Sequence, residues 1–161
     1  MTDLNQETAE YAGFWVRIGA ALVDTIIYLL LTAPALIVIY GWEYYDFEED
    51  IYGFIAGPAD LLISWIIPMV ATIWLWMTYR ATPGKMLFSL KVVKADTGAA
   101  LTLKEGIVRY LGYVVATIPL CLGFIWVGFD SKKQGWHDKI AGTVVVRSKN
   151  AGTEAVRFPQ G

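Results

Sequence analysis

The sequence predicts an all-α integral membrane helix bundle. We expect two long transmembrane helices, a third membrane segment that is broken or hairpin-like, and a small cytoplasmic β element. Hydrophobic residues make up 56% of the chain and charged residues only 17%, against about 45–50% and about 25% in soluble domains. The apolar residues also stand in long runs instead of alternating with polar ones. A chain of 161 residues has room for one domain.

Three runs are long enough to cross a bilayer, which takes about 20 mostly apolar residues at 1.5 Å of rise each. They cover residues 14–40, 61–79 and 107–129, and a single charged residue, Arg109, interrupts the last one. Together they define a membrane domain over 11–147. An acidic N-terminal tail, 1–10, precedes this domain, and a flexible C-terminal tail, 148–161, follows it.

Composition excludes several classes of protein. The net charge of −2 provides no basic field for nucleic acid. One cysteine and one histidine make neither an internal disulfide nor a structural zinc site, so no metal or other cofactor is expected. His137 stands beside Asp138, but no nucleophile in a suitable setting accompanies the pair, so we interpret this histidine as structural and the protein as not an enzyme.

The distribution of lysine and arginine predicts the orientation. Loop 41–60 has six acidic residues and no basic one, whereas the segment 80–105 carries five basic residues and the region after 129 carries six. We therefore expect a protein of the cytoplasmic (inner) membrane with its N-terminus in the cytoplasm and loop 41–60 outside.

The third segment leaves two alternatives. As one helix of 23 residues it is about 34 Å long, enough for a single crossing, which places the basic C-terminal region outside. Pro119 and Gly123 near its middle instead favour a break that returns the chain to the cytoplasm. The β-branched stretches 90–94 and 143–147 favour the return, because pairing these strands requires both on one side. A third strand is expected near 100–103, giving a β element of about 89–103 paired with 143–147.

Ionisable groups within a span are costly and usually have a partner or a role. Arg17 and Asp24 lie two turns apart on one face of the first helix. Asp24 has two interpretations: a structural partner for a group on another helix, or a protonatable or cation-binding group on a transport path. Arg109 either pairs with Asp24 or extends to the headgroups. Asp60 is expected to cap the second helix.

Proline lies near the middle of each membrane segment, at Pro34, Pro68 and Pro119. A proline removes one helical hydrogen bond, and transporters use such broken helices to coordinate ions. Proline is also commoner in membrane helices than in soluble ones. These three residues are therefore candidate helix breaks.

Three motifs resemble the RDD family of small membrane proteins, named for one arginine and two aspartates. They are Tyr11-Ala-Gly-Phe-Trp-Val-Arg17 continuing to Asp24, then Thr82-Pro-Gly-Lys85, and Gln134-Gly-Trp-His-Asp138 continuing to Val146. The resemblance implies that Arg17 and Asp24 are the family's arginine and first aspartate. The second aspartate is either Asp130 or Asp138. Transport of unidentified ligands, including cation/proton antiport, is what the resemblance implies about function.

Two functional hypotheses follow. In the first, the protein transports a small ligand, a cation or a proton, as a homo-oligomer in the lipid bilayer, with Asp24 as the titrating group and Arg17 as its electrostatic modulator. In the second, it is a non-transporting assembly or adaptor protein in which the arginines and aspartates hold helices together.

Overall fold

A computed structural model of the chain describes residues 9–45 and 55–148. Residues 46–54 of the acidic loop, the first eight residues, and all but the first residue of the tail predicted over 148–161 lie outside the described residues. Two described helical stretches are long and apolar enough to cross a membrane, Phe14–Tyr40 and Pro58–Leu87, and the second contains a turn at residues 80–82. The first two predicted spans are therefore confirmed as membrane-spanning candidates.

Helix α1, Phe14–Tyr40, is the longest element, with 27 residues. Its apolar side chains are exposed around most of its circumference, as expected of a helix surrounded by lipid. The hydroxyl of Thr32 donates to the carbonyl four residues earlier, so it adds no unsatisfied polar group. Pro34 lies inside α1. Contrary to the predicted break, the helix continues through it, as membrane helices allow when their neighbours satisfy the freed backbone group.

Helix α2 begins at Pro58, three residues earlier than predicted, and is irregular in its first half. Its three consecutive segments are Pro58–Asp60, a π-helical turn Leu61–Ile66, and the α-helical part Ile67–Tyr79. Pro68 follows the π turn and has no N–H to donate toward Ser64. The Ser64 carbonyl instead accepts a hydrogen bond from the Tyr28 hydroxyl at 3.1 Å. This region of α2 is therefore tied to α1 through a group that a regular helix would have used internally.

A short helix and a small sheet follow. Helix α3 is Pro83–Leu87, and the strands are β1, Ala9–Tyr11; β2, Leu90–Lys94; and β3, Thr143–Ser148. The strands form one antiparallel sheet in the order β1-β3-β2. The predicted pairing of the two valine-rich strands is confirmed, with Val92 opposite Val145.

The predicted third strand near 100–103 is wrong. Thr102 is instead the N-cap of the next helix, and its hydroxyl accepts from the Glu105 N–H in a capping box. The place of the third strand is taken by β1, which pairs with β3 so that Glu10 lies opposite Arg147. The end of the predicted acidic tail is therefore part of the sheet.

The third membrane segment is broken. Helix α4, Leu103–Thr117, and helix α5, Leu122–Ile125, which continues as a 3₁₀ turn to Gly128, make an angle of 112°. At the break, Leu120 and Cys121 have positive φ angles of 52° and 61°, which no helix accommodates. The break lies where Pro119 predicts it. Beyond it, α5 packs back toward α4, with Gly123 against Ala116.

The last helix, α6, is Trp136–Ile140, and it leads into β3. A buried cluster then joins the sheet to the adjoining ends of the helices, and it includes Ala20 of α1, Trp76 of α2 and Val145 of β3. The core is therefore concentrated at the end of the bundle that carries the sheet, while the rest of α1 and α2 presents apolar side chains outward.

Candidate functional site

A buried cluster of charges lies where α1, α4 and α6 meet. Asp138 is fully buried, and its Oδ2 lies 2.6 Å from Nη1 of Arg17. Its Oδ1 forms an ion pair with Nη1 of Arg109, which is only 1% exposed. The Gly135 N–H donates to the same carboxylate at 2.9 Å. Asp138 is therefore held from three separate stretches of chain.

Arg17 uses most of its guanidinium group. Besides the ion pair, its Nε donates to the Ala12 carbonyl at 3.0 Å and its Nη2 to the Lys133 carbonyl at 2.5 Å. The fixed fork of an arginine suits several acceptors at once in this way. The side chain thus fastens the start of α1 to the loop before α6.

The structure corrects both expectations for Arg109, since it neither reaches the headgroups nor pairs with Asp24. Its guanidinium carbon lies 5.2 Å from the centre of the Trp76 ring, and the group also donates to the hydroxyl of Thr143. The reason is the close packing of α4 on α6. A Cβ added at Gly112 would lie 2.9 Å from the His137 Cα, so glycine lets the helices approach and turns Arg109 inward.

The charges of the cluster fix its protonation. Burial alone would raise the pKa of Asp138, but the adjacent guanidinium groups of Arg109 and Arg17 outweigh it and hold that pKa well below its ordinary value. Burial lowers the pKa of His137 to about 3, and the two arginines add to this effect against the opposing charge of Asp138. At neutral pH the cluster therefore contains two cations, one anion and a neutral imidazole.

His137 is packed as a core residue. Its ring centre lies 4.5 Å from that of Tyr113 and 5.0 Å from that of Phe124. Within the described residues no group of three or more metal-ligating side chains is suitably placed to hold an ion. The setting is that of a structural histidine.

Asp24 takes part in a different contact of α1, the one with the turn that begins α3. Its Oδ2 accepts from the Thr82 hydroxyl at 2.5 Å and its Oδ1 from the Gly84 N–H at 2.7 Å, so it holds the turn that begins α3. Lys85 is close by, with its Nζ 3.4 Å from the Thr82 Oγ1. A Cβ at Gly84 would overlap the Ala20 carbonyl and the Asp24 side chain. Arg17 and Asp24, the two charged residues of α1, thus contact different parts of the end of the bundle that carries the sheet.

Asp130 serves the loop before α6. It forms a partly exposed ion pair with Lys139 at 2.5 Å and accepts from the Gln134 N–H at 3.1 Å. Burial acts to raise the pKa of Asp130, but Lys139 and the backbone donors prevail and lower it. This aspartate does not take part in the ion pairs of Arg17 or Arg109.

An open cavity of about 520 Å³ lies between α1, α2 and α4. Its walls combine aromatic rings with hydroxyl groups. They include Tyr28, Thr32, Tyr44, Ser64, Trp65 and Tyr110. The π turn and Pro68 form part of the wall, so the irregular part of α2 faces this cavity.

Asp60 lies beside the cavity and is only 2% exposed. It does not act as the predicted cap of α2, because the helix begins at Pro58 and includes it. Its Oδ1 accepts from the Tyr44 hydroxyl at 2.8 Å and from the Ser64 hydroxyl at 2.5 Å. Its Oδ2 accepts from the Ala56 N–H at 2.9 Å. Two wall residues of the cavity are thus oriented by one buried carboxylate.

Neither the cavity nor the role of Asp60 was predicted from the sequence. A usable signal was present: no lysine, arginine or histidine occurs from 18 to 79, so any buried acid there lacks a basic partner from its own helices. The pair between Glu10 and Arg147 across the sheet was not predicted either.

Comparison with known proteins gives one family. Residues 11–142 match the sequence profile of the RDD family. Two Bacillus subtilis relatives cover most of the chain. They are the "uncharacterized membrane protein YteJ", 33% identical over 88% of this chain and 84% of its own, and the "uncharacterized protein YxaI", 31% identical over 84% and 96%. The "uncharacterized protein RP437" of Rickettsia prowazekii is 44% identical over 45% of this chain and 40% of its own. No solved structure matches the chain.

Proposed function

The chain belongs to the RDD family, and from its site geometry we propose that it is an integral protein of the cytoplasmic membrane that transports a small ligand, a cation or proton. The observation that carries the proposal is the cavity of about 520 Å³ between the two long apolar helices. A cavity of this size, with a few oriented polar groups on an otherwise apolar wall, is typical of small-ligand sites.

Irregular backbone at membrane depth supports the same proposal. The π turn Leu61–Ile66 and Pro68 lie on the cavity wall. Such irregularities are frequent at functional sites and are tolerated in lipid only where protein or a cavity adjoins them. Tyr110 of α4 contributes the third side of the cavity, so the broken third segment is part of the ligand-handling region.

We propose an orientation in which the sheet-bearing end is cytoplasmic. This end carries the basic segments 80–105 and 130–147, whereas loop 41–60 has no basic residue. Because the two strands on either side of α4 and α5 pair with each other, the third segment in this proposal enters and leaves the membrane on the cytoplasmic side. With α4 about 22 Å long and the hydrocarbon core about 30 Å thick, it is a re-entrant hairpin.

We assign Asp138, and not Asp130, as the second aspartate of the family signature, because Asp138 is the one that pairs with Arg17. In this proposal the ion pairs of Asp138 with Arg17 and Arg109 form a fixed connection between the membrane spans and the cytoplasmic sheet. Asp24 is the group through which ligand movement couples to the sheet-bearing end, since its carboxylate holds α3 by two hydrogen bonds.

A second candidate function is the non-transporting assembly or adaptor protein. The observation in its favour is that Arg17, Asp24 and Asp138 all have intramolecular partners. On that hypothesis these residues only stabilise the fold, and the sheet is the part that meets another protein. The two candidates differ in one measurable property, which is flux across a bilayer.

The test is sodium and proton flux in proteoliposomes, comparing the wild type with Asp24→Asn and with the control Asp96→Asn, which removes a carboxylate from an exposed turn. Thermal unfolding of each purified variant checks that equal amounts of folded protein are compared. We expect flux in the wild type and the control, and its loss in the folded Asp24→Asn variant. Unchanged flux in Asp24→Asn overturns the coupling role, and absence of flux in the wild type favours the adaptor.

A further inference from the structure

The part of the sequence that supplies α1, α2 and the loop between them carries acidic residues but no basic residue after Arg17. Six acidic residues and no basic residue occur in the segment 41–60, and the whole stretch from 18 to 79 contains no lysine, arginine or histidine. Asp60 is the buried member of this group, and within the described part of the chain it forms no ion pair. The cavity is thus adjacent to a carboxylate that neutral donors alone stabilise.

The basic residues of the third segment do not compensate for this charge. Arg109 is committed to Asp138 at the sheet-bearing end, and Lys104 is exposed at the start of α4. A buried carboxylate without a cationic neighbour carries a large desolvation cost. A cationic ligand in the cavity would recover part of that cost, because the groups between it and the carboxylate are the polarisable hydroxyls of Tyr44 and Ser64.

The walls supply the second requirement for a cation. Five aromatic side chains line the cavity: Tyr28, Tyr44, Tyr45, Trp65 and Tyr110. The face of an aromatic ring attracts cations, and a set of rings suits organic ammonium groups best, because their methyl or methylene groups also gain apolar contact. A volume of about 520 Å³ is far larger than a bare metal ion needs and suits an organic molecule.

We propose that the cavity between α1, α2 and α4 binds a small organic ammonium cation, with Asp60 as its electrostatic counter-charge and the tyrosines as its cage. The inference rests on the proposed function in that it names the ligand class of the same cavity. It differs in its site residue, since Asp60 lies outside the three motifs that identify the family.

Binding of choline and tetramethylammonium to the purified full-length protein in lipid nanodiscs tests the proposal. Isothermal titration is carried out at constant ionic strength, with sodium chloride and the neutral choline isostere 3,3-dimethyl-1-butanol as comparison ligands. We expect saturable binding of both ammonium ions, at least tenfold weaker binding of the neutral isostere, and no saturable signal from sodium. Equal binding of choline and its neutral isostere, or no binding of either ammonium ion, overturns the proposal.

Two sets of variants identify the groups responsible. Asp60→Asn removes the charge and keeps one acceptor oxygen for the Tyr44 and Ser64 hydroxyls, although it loses the acceptor for the Ala56 N–H. We expect at least tenfold weaker choline binding; Asp96→Asn on the exposed turn is the matched control, with unchanged binding. If Asp60→Asn fails to fold, Tyr110→Phe and Tyr110→Leu replace it: the ring of phenylalanine should preserve binding and leucine should weaken it several-fold. Equal affinity in the phenylalanine and leucine variants, or in folded Asp60→Asn, contradicts the assigned roles.

The outcome is independent of transport. Binding is measured without a gradient, so a protein that binds choline but shows no flux of sodium, protons or choline refutes the transport proposal and retains this site. Flux of sodium or protons without ammonium binding refutes this ligand site and retains the transport proposal.

Discussion

Arg17 and Asp138 are 121 positions apart in the chain and form an ion pair of 2.6 Å. Arg17 lies in the first turn of α1, and Asp138 lies in the short helix that leads into the last strand. The contact therefore connects the first membrane helix to α6, the described helix that precedes β3. Arg109 of the third membrane segment also forms an ion pair with this carboxylate. One aspartate therefore connects α1, α4 and α6.

Removing the charge of Asp138 should be strongly destabilising. Asp138→Asn leaves two buried guanidinium groups without a counter-ion, and breaking a buried pair in this way costs about 3–5 kcal/mol. We expect the free energy of unfolding in detergent to fall by that amount, as measured by denaturant titration followed by circular dichroism.

The matched control for this variant is Asp130→Asn. Asp130 pairs with Lys139, whose side chain is 43% exposed, and such pairs contribute about 0–1 kcal/mol. A similar loss of stability in the two variants would show that the buried ion pairs of Asp138 contribute no more to stability than the exposed pair of Asp130.

Arg17 should not be replaceable by lysine. The guanidinium makes three separate contacts, to Asp138 and to the carbonyls of Ala12 and Lys133, and a single ammonium group cannot reach all of them. Losing the two carbonyl contacts should cost about 3–6 kcal/mol, since hydrogen bonds to charged groups contribute about 1.5–3 kcal/mol each. Lys139→Arg, at an exposed pair, should change stability by less than about 0.5 kcal/mol in the same titration.

Gly84→Ala tests how closely α3 packs against α1. The added Cβ would overlap the carbonyl of Ala20 and lie 2.8 Å from the Asp24 carboxyl carbon, and overpacking of this kind costs about 1–3 kcal/mol. Gly128→Ala is the control, because a Cβ there meets nothing within 4 Å. Equal melting temperatures for Gly84→Ala and the wild type would contradict the tight contact between α1 and α3.

Local sequence signals predicted the long helices and the two valine-rich strands but not the contacts between elements. Runs of apolar residues identified α1 and α2, and the valine-rich stretches identified β2 and β3, because each signal is local. The three-residue strand β1 was missed, since Ala9–Tyr11 has no pattern of its own and becomes a strand only by pairing with β3. Pro34 was overinterpreted, because a proline does not determine a break when lipid and neighbouring helices maintain the helix.

The partners of the charged residues depended on tertiary structure. The spacing of Arg17 and Asp24 correctly placed both on α1, yet nothing local indicates that one binds Asp138 and the other the Thr82–Gly84 turn. Arg109 was expected either to pair with Asp24 or to extend to the headgroups, and it does neither. Its actual burial requires the close approach of α4 and α6, which the sequence indicates only through Gly112.

The free energy of unfolding should fall as the pH is lowered from about 6.5 toward 3, because His137 binds a proton more readily in the unfolded state. The pKa of His137 is about 3 in the folded protein and about 6.5 when unfolded, so the unfolded state binds more protons between these values. The stabilisation is complete above about pH 6.5 and is lost toward pH 3, with a loss of about 2 kcal/mol between pH 7 and pH 5. Asp138, whose pKa is also lowered, adds a loss only below its ordinary value of 3.8.

The variant His137→Phe isolates the histidine contribution, since phenylalanine keeps a ring against Tyr113 and Phe124 and cannot titrate. Denaturant titrations at pH 7, 6 and 5 should show a much shallower loss in this variant. An identical slope in the two proteins would assign the acid sensitivity to other groups.

Cys121 is the single cysteine of the chain and lies at the break between α4 and α5, which makes it a natural probe of the third segment. A helix of about 22 Å cannot carry this residue across about 30 Å of hydrocarbon. A membrane-impermeant maleimide should therefore leave Cys121 unmodified in intact cells. In a Cys121→Ser background, Trp42→Cys should be labelled from outside and Ser131→Cys only after permeabilisation. Labelling of Cys121 itself in intact cells would mean that the hairpin reaches the outer surface, and the re-entrant arrangement would then be wrong.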